Sequence, residues 1–154
     1  MIEAGDLRAL ERALRESIPL ARAMDVRALD YDGHRLALGA PLAPNVNDKG
    51  NAFGGSLSSL LTLAAWGLVN LKMAEAGLVA DVYVQQANLS YLAPVWGELI
   101  AEAYAEDGAW PGFLAALRER GRARIVVFAE IAGAGGAGTA ARQDARFVAR
   151  AASG

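Results

Sequence analysis

The sequence predicts an α+β domain in which an antiparallel sheet curls around one long apolar helix. Three observations carry this. The stretch from Ser56 to Ala76 holds Leu57, Leu60, Leu61, Ala64, Ala65, Leu68, Val69 and Leu71 at helical spacing with no proline. It is apolar around most of its circumference, and a helix of that kind is buried on nearly all sides. Around it, strand-like segments follow in the order β-β-α-β-β-(α)-β-β, without the strict strand–helix alternation of a parallel doubly wound sheet.

At 154 residues the chain fits one domain, read over 1–154 with an amphipathic helix at its front, and 54% hydrophobic content supplies a core. A net charge of −2 argues against a nucleic-acid partner. There is no cysteine, hence no thiolate nucleophile and no zinc–thiolate site. The single histidine, His34, sits in an Asp32-Gly33-His34 turn, which leaves no partner for a serine nucleophile elsewhere and no histidine metal site. The expectation is therefore no metal and no cofactor. The opening MIEAGDLRALERAL lacks the blocks of a signal peptide. Ser58, Ser59, Thr62, Asn70 and Lys72 interrupt the long helix, which reads as a core helix rather than a membrane span. A cytoplasmic protein is expected.

In chain order, Asp6 to Ile18 places Leu7, Leu10, Leu14 and Ile18 on one face of a surface helix with Asp6 as N-cap. Pro19 ends or restarts it. Val26–Tyr31 and Arg35–Ala40 read as strands across the Asp32-Gly33 turn. Gly77 stands where a helix C-cap belongs. Val82–Leu92 reads as a strand with Tyr83, Gln85, Ala87, Leu89 and Tyr91 on one face and Val82, Val84, Gln86, Asn88 and Ser90 on the other. Gln85, Gln86 and Asn88 either line a polar pocket or mark a bulge. Glu98–Tyr104 alternates. Pro111–Arg120 reads as a short helix with Pro111 first, Phe113, Leu114 and Leu117 as anchors and Gly121 just past its end. Ala123–Ala132 reads as a buried strand, and Thr139–Arg150 alternates between Ala141, Ala145, Phe147, Ala149 and a charged face. Gly133 to Gly138 formally matches G-x-G-x-x-G. The dinucleotide fingerprint needs a following helix and an acid about 20 residues on, whereas here a strand follows, so a hairpin loop is expected.

The chemistry concentrates before the long helix. Ala43 to Gly55 is polar and glycine-rich, and delivers Asn45, Asn47, Asp48, Asn51 and Gly54-Gly55 to the helix start. Unpaired N–H groups and a partial positive charge there stabilise an oxygen that is becoming negative. A carboxylate and carboxamides beside them suit the positioning of water, although Asn and Asp also cap and turn. Gly-Gly-Ser-Leu-Ser lacks a nucleophile elbow, so Ser56, Ser58 and Ser59 read as capping or packing residues.

Ala43-Pro44-Asn45-Val46-Asn47-Asp48-Lys49-Gly50, Phe53-Gly54-Gly55-Ser56, Trp66-Gly67 and Tyr91-Leu92-Ala93-Pro94-Val95 with Gly97 resemble the hotdog-fold thioesterases. The closest likeness is to the thioesterase domain family also found fused behind acetyltransferase domains. The resemblance implies a hotdog fold, at least a homodimer and by extension a dimer of dimers, and an acyl site at the subunit interface by the helix N-terminus. It implies hydrolysis of an acyl thioester carried on CoA or an acyl-carrier protein, with no membrane partner. In that frame Asp48 is the expected base or nucleophile, the amides of Gly54 and Gly55, or of the residues just after, are the oxyanion donors, and Asn45 and Asn47 orient water or Asp48. Asn51, Phe53, Ser56, Gln85, Gln86 and Asn88 are the expected substrate contacts. Phe53 occupies the place where many hotdog hydrolases and dehydratases carry histidine, and the first acid within the helix is Glu75 at its far end. A non-catalytic acyl-binding protein, or a hydratase or dehydratase, are the alternatives.

Overall fold

The structure, a computed structural model, describes residues 6–152. Met1–Gly5, where the reading of the chain start falls, lie outside the described residues. The chain opens with α1 (Leu7–Ser17), whose N-cap Asp6 accepts the Arg8 and Ala9 amides at 2.9 and 3.1 Å and whose Leu10 and Leu14 are fully buried. Ile18 breaks the ladder, and Pro19 begins a second short helix, α2 (Pro19–Met24), because proline needs no N–H at a first helical position. Asp25 turns the chain in a left-handed conformation, φ 60°. Its carboxylate accepts Arg15 at 2.7 Å and Arg27 at 3.1 Å, which ties α1 to the following strand.

Six strands form one antiparallel sheet in the order β1-β2-β4-β5-β6-β3: β1 (Arg27–Tyr31), β2 (Leu36–Ala40), β3 (Ala80–Tyr91), β4 (Leu99–Tyr104), β5 (Arg122–Ala132) and β6 (Thr139–Ala151). The inner face packs on α3 (Gly54–Glu75), and α4 (Ala109–Arg120) lies against β5. Leu57, Leu60, Leu61, Ala64, Ala65, Leu68, Val69 and Leu71 of α3 are all buried. Gly67 is required by a close approach: a Cβ there would stand 2.9 Å from Leu36 Cδ2 and 3.5 Å from Leu10 Cδ2. Burying one leucine contributes roughly 1.5–3 kcal/mol. Any two of them therefore outweigh the roughly 1 kcal/mol lost when a helix starts without a side-chain cap, as this one does. By length and composition α3 passes for a membrane span, but most of its apolar window is enclosed by this fold.

Several expectations shift in detail. The long helix begins at Gly54, two residues earlier than its propensities indicate, so the glycine pair forms its first turn. Pro111 is third rather than first in α4, still within the turn whose amides have no helical acceptor. Strand β5 alternates instead of being buried throughout, with Val126 43% exposed on the outer face. In β3 a bulge between Val84 and Gln86 shifts the register by one residue. Val82 and Val84 therefore share the inner face with Ala87, Leu89 and Tyr91, opposite Ala149, Phe147, Ala145, Gln143 and Ala141 of β6. The glycine loop is the hairpin joining β5 to β6, closed by the Gly133 amide on the Gly138 carbonyl at 3.1 Å.

Candidate active site at the start of the long helix

The loop before α3 is built by its own carboxamides. Asn45 is 1% exposed; its Nδ2 donates to the Met24 and Pro41 carbonyls at 3.0 and 2.8 Å, and its own carbonyl accepts the Phe53 amide at 2.7 Å. Asn47 Oδ1 accepts the amides of Lys49 and Asn51 at 2.8 and 3.2 Å, while its Nδ2 donates to Asn51 Oδ1 at 2.9 Å. Most of these side chains close turns on nearby backbone, while the Asn45–Met24 bond ties the loop to the end of α2. The amide donors of Asn45 and Asn47 are thus engaged, Asn45 on Met24 and Pro41 and Asn47 within the loop, and neither side chain hydrogen-bonds Asp48, which leaves of the expected orienting role only that toward water. Asn51 belongs to the same knot. Among the described residues, Asn45 Oδ1 is the buried side-chain atom of this loop without a donor. Asp48 stands at the crest of the loop with its side chain 80% exposed, paired to Lys49 at 2.9 Å.

The helix that the loop delivers starts unfinished. Phe53 is its N-cap residue, so no side chain caps it, and no acid stands in its first turn. The Phe53 carbonyl accepts the amides of Ser56 and Leu57 at 2.9 and 3.1 Å. Among the described residues, nothing accepts the amides of Gly54 and Gly55. The free amides of the first turn are therefore that pair, since the Ser56 amide is engaged by the Phe53 carbonyl. A close approach favours glycine at Gly55, whereas Gly54 has room for a Cβ. The Phe53 ring lies over Gly55, with Cδ2 3.0 Å from where a Cβ would stand, and Tyr91 sits 3.7 Å from the same position on Gly54. The Tyr91 hydroxyl donates to the Gly54 carbonyl at 3.3 Å.

Phe53 and Tyr91 beside the two free amides, Leu92 next in the chain and Trp96 against Gly50 of the loop are each more than half exposed. They make an apolar rim around a positive helix end, a combination suited to an acyl group with a polarised carbonyl. Tyr91, which the sequence reading did not assign to the site, stands against Gly54. The signal was the Tyr91-to-Gly97 segment, but its placement depends on the Val95 carbonyl accepting the Ala52 amide at 2.8 Å, a long-range contact.

The polar residues of β3 are divided by the sheet. Gln85 is the bulged residue. Gln86 and Asn88 pair with Arg146 and Asp144 on the outer face, where Gln86 accepts from Arg146 and Asn88 Nδ2 donates to Asp144 at 3.4 Å. The structure does not bring Gln86 and Asn88 to the helix start, because the bulge exchanges the faces. His34 is exposed in its turn, and among the described residues no cluster of metal-ligating side chains forms.

A long apolar helix wrapped by a six-stranded antiparallel sheet, with uncapped amides at its leading end, is the hotdog architecture of thioesterases. Residues 7–151 match the family model described as "Putative thioesterase (yiiD_Cterm)", and the chain belongs to that family. Among solved structures it is similar to a protein of unknown function from Chlorobaculum tepidum TLS, at 30% identity over 94% of each chain with a TM-score of 0.89. It is also similar to a protein from Shewanella oneidensis described as a "putative thioesterase", at 26% identity over 94% of this chain and 96% of that one, TM-score 0.84. A Pseudomonas aeruginosa protein at 19% identity, covering 99% of this chain and 100% of that one with a TM-score of 0.79, shares the fold.

Proposed function

We propose that the protein hydrolyses an acyl thioester, with acyl-CoA as substrate, at the leading end of α3. The observation that carries this reading is the pair of unaccepted amides at Gly54 and Gly55 inside an apolar rim. A thioester carbonyl seated there would have its developing oxyanion held by two N–H donors and the helix dipole. Water adds to the carbonyl carbon, the C–S bond breaks, and the water proton passes by way of a base to the leaving thiolate, giving a carboxylic acid and a thiol. Asp48 is the proposed base, as the acid just ahead of the helix start. Phe53, in the place of a histidine, disfavours hydratase or dehydratase chemistry.

The site would be completed by a second copy of the chain. Strand β3 has one neighbour in the sheet and bares Tyr83, Val84, Leu89 and Tyr91 along its length. An unpaired strand edge of 12 residues is a ready template for pairing, and Tyr91 at the end of β3 reaches the Gly54 carbonyl. A homodimer joined there, or a dimer of such dimers, is the proposed assembly. The cytoplasm is its proposed setting.

The exposure of Asp48 and its ion pair with Lys49 favour a second reading, an acyl-binding hotdog protein without turnover. Thiol release measured across acyl-CoA chain lengths, with acyl-carrier protein thioesters in parallel, separates the two. Under the hydrolase reading Asp48→Asn lowers kcat by about 10²–10⁴ while fold and oligomer persist. A rate near wild type removes Asp48 from the mechanism. Binding without thiol release in the wild-type protein establishes the second reading.

A further inference from the structure

One buried polar group lies outside this scheme. Gln143 projects from β6 toward α3 and is 2% exposed, in a row whose other inward members on β6 are Ala141, Ala145, Phe147 and Ala149. Its Oε1 accepts the Thr62 hydroxyl at 3.2 Å, and its Nε2 is buried with no partner. An unpaired buried donor of this kind costs about 1–3 kcal/mol, and a methionine of similar shape would avoid that cost. The amide therefore points to an acceptor supplied from outside the chain.

Its position says which part of a ligand that acceptor belongs to. Thr62 lies seven residues beyond Gly55, a rise of about 10 Å along the helix. Gln143 pairs across the strands with Leu89, two residues or about 7 Å before Tyr91, and Tyr91 touches Gly54. The pair thus sits further along α3, on its β6-facing side, away from the free amides. Thr62 also lines a groove of about 230 Å³ with Ile18, Leu20, Ser58, Ser59 and Leu63. An acyl chain whose carbonyl rests on Gly54 and Gly55 would run past Ser58 to this point.

We propose that Gln143, oriented by Thr62, is a specificity-determining residue that donates to a neutral oxygen on the acyl group several carbons from the thioester. The preferred substrates are then hydroxy- or ketoacyl thioesters rather than plain chains of the same length. A carboxylate does not suit the position, since a lone neutral amide does not compensate a buried charge. The inference rests on the reading of the α3 tip as the thioester site.

The test is calorimetric binding of thioether CoA analogues of one chain length, plain or bearing a hydroxyl or keto group at successive carbons. Oxygen at one position should tighten binding about tenfold or more, the factor expected of one well-made hydrogen bond. Gln143→Met should abolish that gain and leave the plain analogue within about threefold of wild type, as expected when only that one bond is lost. Thr62→Val should lose part of the gain at the same carbon, and it decides the matter alone if Gln143→Met does not fold. No gain at any carbon, or equal weakening of plain and oxygenated analogues by either variant, overturns the proposal. Thiol release from the matching thioesters is followed in parallel. Discrimination without turnover removes the hydrolase and keeps the role of Gln143; turnover without discrimination does the reverse; failure of every analogue to bind removes both.

Discussion

The two ends of α3 are finished in opposite ways. At its C-terminus the Gly77 amide donates to the Ala74 carbonyl at 3.0 Å and the Leu78 amide to the Met73 carbonyl at 2.9 Å, with Gly77 at φ 69°. That is the paired closure of a Schellman turn. Arg118 adds a donor to the Ala76 carbonyl at 3.2 Å, and Lys72 places a cation in the last turn, as the helix dipole favours. Tyr31 donates to Glu75; burial, and then that carboxylate, push its phenol above the ordinary 10.0. At the N-terminus the cap residue is a phenylalanine, no anion answers the dipole, and two amides have no acceptor. One helix thus carries a terminus whose polar groups are satisfied from within and another with two unaccepted amides. The contrast places stability at the first end and, under the proposed function, chemistry at the second.

The largest expected effect breaks that contrast at the open end. Gly54→Pro removes one free amide without disturbing the helix, because Gly54 is its first residue, where proline is favoured. Phe53 before it already has φ −65° and ψ 134°, the extended form that a residue preceding proline adopts. A Cβ there meets Tyr91 at an ordinary 3.7 Å. Loss of one oxyanion donor should lower kcat by about 10²–10³ with the melting temperature nearly unchanged. Retained turnover in a folded variant would take the Gly54 amide out of the chemistry. The opposite pattern is expected at the closed end. Gly77→Ala forces a side chain into the left-handed region at a cost of about 1–2 kcal/mol. For a chain of this size that lowers the melting temperature by roughly 2–4 °C per kcal/mol, with turnover per folded molecule intact. Calorimetry and thiol release on both variants separate the two roles.

Most of the architecture was legible because it rests on periodicity. Leucines at helical spacing placed α3, and alternation placed β4 and β6. What escaped depends on contacts between distant residues. The bulge at Gln85 reversed the faces of β3, so Gln86 and Asn88 turned outward while Leu89 and Tyr91 turned in. Helix propensity disfavours glycine, which put the start of α3 at Ser56 instead of Gly54, although buried leucines further along override that penalty. The loop was correctly singled out as the feature leading into the helix, yet its asparagines close turns, and composition alone does not separate a turn-closing carboxamide from a ligand-binding one. Parity places Gln143 inward between Ala141 and Ala145; that its amide lacks a partner is visible only with α3 in place.

The smallest effect sharpens the comparison from behind the open end. Asn45 hangs the loop on the Met24 carbonyl, and the next residue, Asp25, clamps that turn through Arg15 and Arg27. The hydrogen bond from Arg15, followed by that from Arg27, holds the Asp25 carboxyl below its ordinary 3.8. A carboxyl with a lowered folded value stabilises the native state above the unfolded value, and that contribution disappears as pH falls through the folded one. The clamp is therefore fully formed at neutral pH and fails only in acid, starting near 3.8 and extending below it. Asp25→Asn should lower the melting temperature slightly at pH 7 and flatten its decline below pH 4, since no proton remains to be taken up there. Because the carboxylate is exposed, the change is small, and turnover at neutral pH should stay near wild type if the clamp supports the loop without touching the ligand. A loss of turnover larger than the loss of folded protein would mean that the open end of α3 depends on this turn for its geometry, and the division of labour along the helix would then have to include its supporting arm.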